Sequence, residues 1–194
     1  MITQHPPDDI LKALKEGLAS YRDLSESLRK IIVGEQSGDR VALKMYTVKL
    51  SHLASGVLQQ FELKGWRFLA SDAKDGIVVD VAASSQSLGP PPRVTAVQRG
   101  PNAAKVIEEL GGVLALPEAQ RTDAELSFVN ISSLMTEMIW IKTSGDAWVV
   151  PYHTLIKAFT KQPYKLADFA SIAGPLAKRR YDQDDSIDGG SNTA

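Results

Sequence analysis

Arg99, Gly100, Pro101 and Asn102 form the segment of this chain with the clearest chemical potential. A glycine ahead of a helix exposes backbone N–H groups at the positive end of the helix dipole, and an adjacent arginine can clamp a carboxylate or phosphate. The competing reading is a plain strand-to-helix turn, in which Gly100 and Pro101 only satisfy backbone geometry. Asp80 is a second candidate, because a carboxylate on the second face of an apolar strand is either turned to solvent or paired. His153, just after a strand, is the third polar group that a pocket between sheet and helices would use. Arg99, Gly100, Asn102, Asp80 and His153 are therefore the candidate ligand-binding residues, for a small molecule or an anion.

Other chemistries find little support. Cysteine is absent, which removes disulfides, thiolate nucleophiles and Cys-based metal sites. His5, His52 and His153 lack metal-ligand spacing, so neither a metal nor another cofactor is expected. A Ser/His/Asp hydrolase would have to draw on Ser132 or Ser133, His153 and Asp80, with nothing to place the serine on a strained turn beside oxyanion donors. Glu62-Leu63-Lys64 together with Asp80 contains the residue types of a metal-dependent nuclease, but the Glu-x-Lys comes first and at a helix end. Walker A, dinucleotide-binding and Gly-x-Ser-x-Gly motifs are missing. Met135, Met138 and Trp140 offer either an adaptable recognition surface or core. A non-enzymatic role is the expectation.

The chain has 194 residues, 43% of them hydrophobic and 23% charged, as in an ordinary globular protein. Its net charge is −1, but Asp182, Asp184, Asp185 and Asp188 lie near the end, and without them 22 bases face 19 acids. The surplus is diffuse, with Lys178-Arg179-Arg180 the only dense basic cluster, which argues against a nucleic-acid partner. No basic segment followed by an apolar run opens the sequence, and no apolar stretch approaches the roughly 20 residues of a membrane span. A soluble, cytoplasmic protein with no membrane partner is expected.

The elements that must position these residues start with two matching stripes: Leu11, Leu14, Leu18, Tyr21, Ser25, Leu28, Ile32, and Leu43, Tyr46, Leu50, Leu53, Val57, Phe61. Steps of three and four predict two helices, each about 35 Å long, paired as an antiparallel hairpin across Gly34–Asp39. From Trp66 the pattern becomes extended: strands over 66–70 and 77–83 around Asp75-Gly76, a strand over 93–98, a helix from Pro101 to Leu110 ended by Gly111-Gly112, and a strand over 125–131. A hairpin around Ser144-Gly145-Asp146 follows, in which Trp140 and Trp148 are placed to pair if the register allows. Helices over 154–159 and 166–177 close the domain, with a break at Gly174-Pro175.

The expected fold is α+β: an N-terminal antiparallel helical hairpin (1–64), a mainly antiparallel sheet with one inserted helix and C-terminal helices (65–177), and a disordered acidic tail (178–194). Leu24, Ile31, Val48 and Leu58 lie off the principal stripes and widen the apolar face of the hairpin. They would meet either the α+β domain or another chain. The leading functional expectation is thus a protein-interaction or self-assembly module of coiled-coil type acting through the hairpin. The alternative is a small-molecule or anion-binding protein, an enzyme included, with its pocket between sheet and helices.

Overall fold

A computed structural model describes residues 5–36, 39–56, 58, 61–72, 75–84 and 89–188. Helices α1 (Asp8–Ala19) and α2 (Glu26–Val33) precede strand β1 (Asp39–Thr47) and a short helix α3 (Leu50–Ala54). Strands β2 (Glu62–Ser71), β3 (Gly76–Ala82) and β4 (Arg93–Arg99) lead into α4 (Pro101–Leu114). Strands β5 (Glu125–Ile131), β6 (Thr136–Lys142), β7 (Ala147–Thr154) and β8 (Tyr164–Lys165) follow, and α5 (Leu166–Asp188) comes last. The eight strands form one mixed sheet in the order β4-β3-β2-β1-β5-β6-β7-β8. It consists of two antiparallel meanders joined where β1 runs parallel to β5.

The N-terminal hairpin of long helices does not form. The first predicted helix is two, because the Ser25 side chain accepts the Leu28 N–H and starts α2 afresh, and Gly34 closes it in a left-handed conformation. In place of the second helix stand β1, α3 and the beginning of β2. Leu43 and Tyr46, one helical step apart, belong to opposite faces of β1, whereas Val41, Leu43 and Met45 share one face at strand spacing. Of the described residues of that stripe, Leu50 and Leu53 sit on a helix, and Val57 lies outside the described residues. Since β1 is central in the sheet, residues 1–64 are not a separate helical unit. Leu24, Ile31, Val48 and Leu58 are each no more than 5% exposed and complete the core of this chain, so they provide no assembly surface.

Helices cover both faces of the sheet. On one face α1 and α2 lie over the β1–β4 half, burying Leu14, Leu18, Leu28 and Ile32 against Phe68, Val79 and Val81. On the β5–β8 half of the same face, α3 and α5 pack Leu53, Phe169, Ala173 and Ala177 on Val129, Met138 and Val149. Each fully buried Leu, Ile or Phe contributes about 1.5–3 kcal/mol; α1 and α2 are held mainly by the sheet, whereas α3 and α5 also pack closely on each other. The opposite face belongs to α4, which spans both meanders through Ala103, Leu110 and Val113. Three strands separate β2 from β7, about 19 Å of flat sheet. Side chains of Arg67 and Tyr152 on those two strands nevertheless hydrogen-bond, so the sheet curls around α4.

Several local expectations change. Helix α4 runs through Gly111 and Gly112 to Leu114, and no helix forms over 154–159, where β7 ends and a turn follows. Trp140 lies opposite Val149 and Trp148 opposite Ile141, so the two indoles occupy opposite faces and do not pair. Helix α5 continues past Pro175 to Asp188, because Phe169, Ala173 and Ala177 keep one apolar row against α3 on both sides of the proline. Residues 178–188 are therefore helical rather than disordered; the remainder of the predicted tail, 189–194, lies outside the described residues. Among the described residues, no helix is long and apolar enough to cross a membrane.

Candidate functional site

Strand β4 ends at Arg99, and Gly100, at φ 76° and ψ −154°, swings the chain from the sheet edge onto the face that α4 covers. Space is not the reason for glycine here, since an added Cβ would meet nothing within 4 Å; the backbone conformation is. Pro101 then occupies the first helical turn, where its missing N–H costs nothing. The turn does not leave its glycine donor open. The Asp75 carboxylate, from the β2–β3 turn, accepts the Gly100 N–H at 3.1 Å and the Gly76 N–H at 2.8 Å, so an internal anion takes the place that the sequence assigned to a ligand at Gly100.

Beside this turn lies a cleft of about 500 Å³ between α4, the end of β4 and the β6–β7 hairpin, lined by Gln98, Arg99, Asn102, Lys105, Val106, Glu109, Glu137 and His153. Three of the five candidate residues thus share one wall space, although Arg99 and His153 come from opposite halves of the sheet. Glu137 and His153 are register partners in β6 and β7. A bulge follows them, where Met138 faces Pro151 and Tyr152 is the extra residue. Both Tyr152 and His153 are thereby directed to the α4 side, and Pro151 sits where a strand tolerates a residue without an N–H.

Asp80 stands behind the cleft rather than in its wall. It is the register partner of Arg67 and accepts two hydrogen bonds from it, Nε to Oδ1 at 2.7 Å and Nη2 to Oδ2 at 2.8 Å. The guanidinium lies over the Phe128 ring, 3.7 Å from its centroid, and its Nη1 donates to the Tyr152 hydroxyl at 3.2 Å. That hydroxyl donates in turn to Glu137 Oε2 at 2.9 Å. Asp80, Arg67, Tyr152 and Glu137 therefore form one continuous chain from β3 to the cleft. Burial alone would lower the Arg67 pKa, but Asp80, Tyr152 and Glu137 outweigh it and raise it, so the guanidinium stays charged. Burial raises the Tyr152 pKa, with Glu137 adding to the effect and Arg67 opposing it, so the phenol keeps the proton it donates.

The charges of the cleft divide into committed and uncommitted. Glu109 is ion-paired with Lys161, and Glu137 is held by Tyr152 and by Arg67 at 3.6 Å. Arg99, Asn102, Lys105 and His153 have no side-chain hydrogen bond or ion pair among the described residues. The free charges are thus both cationic, and they flank a concave surface that also offers amide and imidazole groups.

The remaining chemical candidates do not assemble. Asp80 is occupied by Arg67 and His153 has no bond to a serine, while Ser132 lies on a 3-10 turn and contacts Asn130. Glu62 and Lys64 pair with each other on β2, away from Asp80. No group of three His, Asp or Glu among the described residues is placed to hold a metal ion. His52 Nδ1 is buried on α3 without a hydrogen-bond partner among the described residues. Sequence reasoning missed Arg67, Lys105, Glu137 and Tyr152. The Arg67–Asp80 pair had a signal, since a hairpin turning at Asp75-Gly76 puts these two residues directly opposite. Neither a family model, nor a curated protein, nor a solved structure matches this chain, so the reading of its function rests on the cleft.

Proposed function

We propose that this protein binds a small dianionic molecule, a dicarboxylate or a phosphate ester, in the cleft between α4 and the β6–β7 hairpin. The observation that carries the reading is the pair of cations, Arg99 and Lys105, with no internal partner among the described residues, at the rim of a cleft in which Glu109 is paired with Lys161 and Glu137 is held through one oxygen by Tyr152 and Arg67. Arg99 and Lys105 are both exposed, and what sets them apart from other surface cations is the concave wall they share, which lets both approach one ligand. Asn102 and His153 line the same cleft with an amide and an imidazole, and Val106 supplies an apolar contact. The Asp80–Arg67–Tyr152–Glu137 chain backs the cleft, which limits the ordering cost of binding.

The reading is one of ligand binding. Isothermal titration of the full chain with glutarate and with inorganic phosphate tests it. Saturable binding that weakens about tenfold or more in Arg99→Ala and in Lys105→Ala is the expected result. Absence of binding for both anions, or affinities unchanged in both variants, overturns it.

A further inference from the structure

Glu137 imposes a second requirement on the occupant of the cleft. Both of its internal contacts fall on Oε2, the Tyr152 hydroxyl at 2.9 Å and Arg67 Nη1 at 3.6 Å. Oε1 carries no hydrogen bond among the described residues, and the side chain is 25% exposed in the cleft wall. A surface glutamate is mobile and hydrated, whereas this one is pinned from behind by a phenol and a buried guanidinium. It therefore meets a ligand as a pre-set acceptor. A plain dianion drawn in by Arg99 and Lys105 encounters this carboxylate as a like charge. A ligand that also carries an ammonium turns the same contact into a charge-assisted hydrogen bond.

We infer that the cleft selects an amino-dicarboxylate, with its carboxylates toward Arg99 and Lys105 on the β4–α4 side and its ammonium toward Glu137 on β6. This inference rests on the anion-binding reading above and adds to it the chemical class of the ligand. Glu137 is then the residue that sets specificity, and His153, its register partner, lies beside the same group.

L-glutamate and glutarate differ by one ammonium in place of a hydrogen, which makes them the probe pair. In calorimetric titrations the wild-type chain should bind L-glutamate at least about tenfold more tightly than glutarate. In Glu137→Gln, which keeps the size and an acceptor for Tyr152, the preference should fall below about threefold while glutarate binds as well as before or better. Equal wild-type affinities for the two ligands, or a preference retained in Glu137→Gln, overturn the inference while leaving anion binding in place. If L-glutamate, glutarate and phosphate all fail to bind, the anion reading itself falls and takes this inference with it. The wild-type comparison stands alone should Glu137→Gln not fold, which circular dichroism of the variant decides.

Discussion

Asp80→Asn removes one charge from the most enclosed ion pair among the described residues. The Arg67 and Asp80 side chains are 8% and 14% exposed, and they are joined by two short, parallel hydrogen bonds. Exposed pairs contribute about 0–1 kcal/mol, but breaking a buried pair from one side strands the other charge and costs about 3–5 kcal/mol. Asparagine retains one acceptor oxygen for the guanidinium and turns an amide donor against it, so the lower end applies, about 3 kcal/mol. Arg67 keeps its Tyr152 contact, which bears on the cleft rather than on the β2–β3 pair. For a chain of this length each kcal/mol shifts the melting temperature by about 2–4 °C, giving a fall of about 6–12 °C. Urea unfolding followed by tryptophan fluorescence gives the free energy, and a thermal melt gives the shift. The double substitution Arg67→Met with Asp80→Leu, which replaces both charges by apolar groups beside Phe128, should return to within about 1 kcal/mol of the wild type. A loss below about 1 kcal/mol in Asp80→Asn would refute the closed network from β3 to the cleft.

Three further outcomes follow from the same contacts. Tyr152 has a raised pKa in the folded chain, so its contribution to stability is present below the unfolded value and is lost as pH rises; wild-type stability should decline from about pH 10 upward, and Tyr152→Phe should flatten that decline in urea titrations. Asp123 behaves oppositely. Hydrogen bonds from Arg121 and from the Ser144 hydroxyl and backbone hold its carboxyl below the usual range, so the stability that this staple between the loop before β5 and the β6–β7 turn contributes is complete above about pH 4 and is lost progressively below it, the staple itself opening only where the lowered carboxyl takes up its proton. The Ser144 amide proton in an NMR pH titration reports this, and a shift that does not follow acidification would contradict it. Gly100→Ala should cost about 1–3 kcal/mol from backbone strain alone, measured by chemical denaturation, because the position is left-handed but sterically open.

Local signals and long-range ones fared differently in the sequence. The β2–β3 hairpin at Asp75-Gly76, strand β5, the β6–β7 hairpin around Ser144–Asp146 and the start of α4 at Pro101 all sit where turn residues and alternation place them. Those cues act within a few residues, so tertiary packing had nothing to override. Residues 39–47 were misread because Val41-Ala-Leu-Lys-Met-Tyr fits both a helical and an alternating pattern. The sheet decided in favour of the strand by offering β1 a partner on each side. Arg99, Asn102 and His153 do share one cleft, whereas the Gly100 N–H is consumed by Asp75. The contact of Arg67 with Tyr152 could not be read at all. It depends on how strongly a sheet of eight strands curls, which no local spacing encodes.

Mapping the binding site of glutarate by two-dimensional amide NMR on the full chain tests the cleft most directly. Occupation of the cleft predicts saturable shifts concentrated in residues 98–106 and at Glu137 and His153, with a common midpoint. Shifts scattered over other basic segments such as Lys178-Arg179-Arg180, or no shifts at all, would contradict binding between α4 and the β6–β7 hairpin.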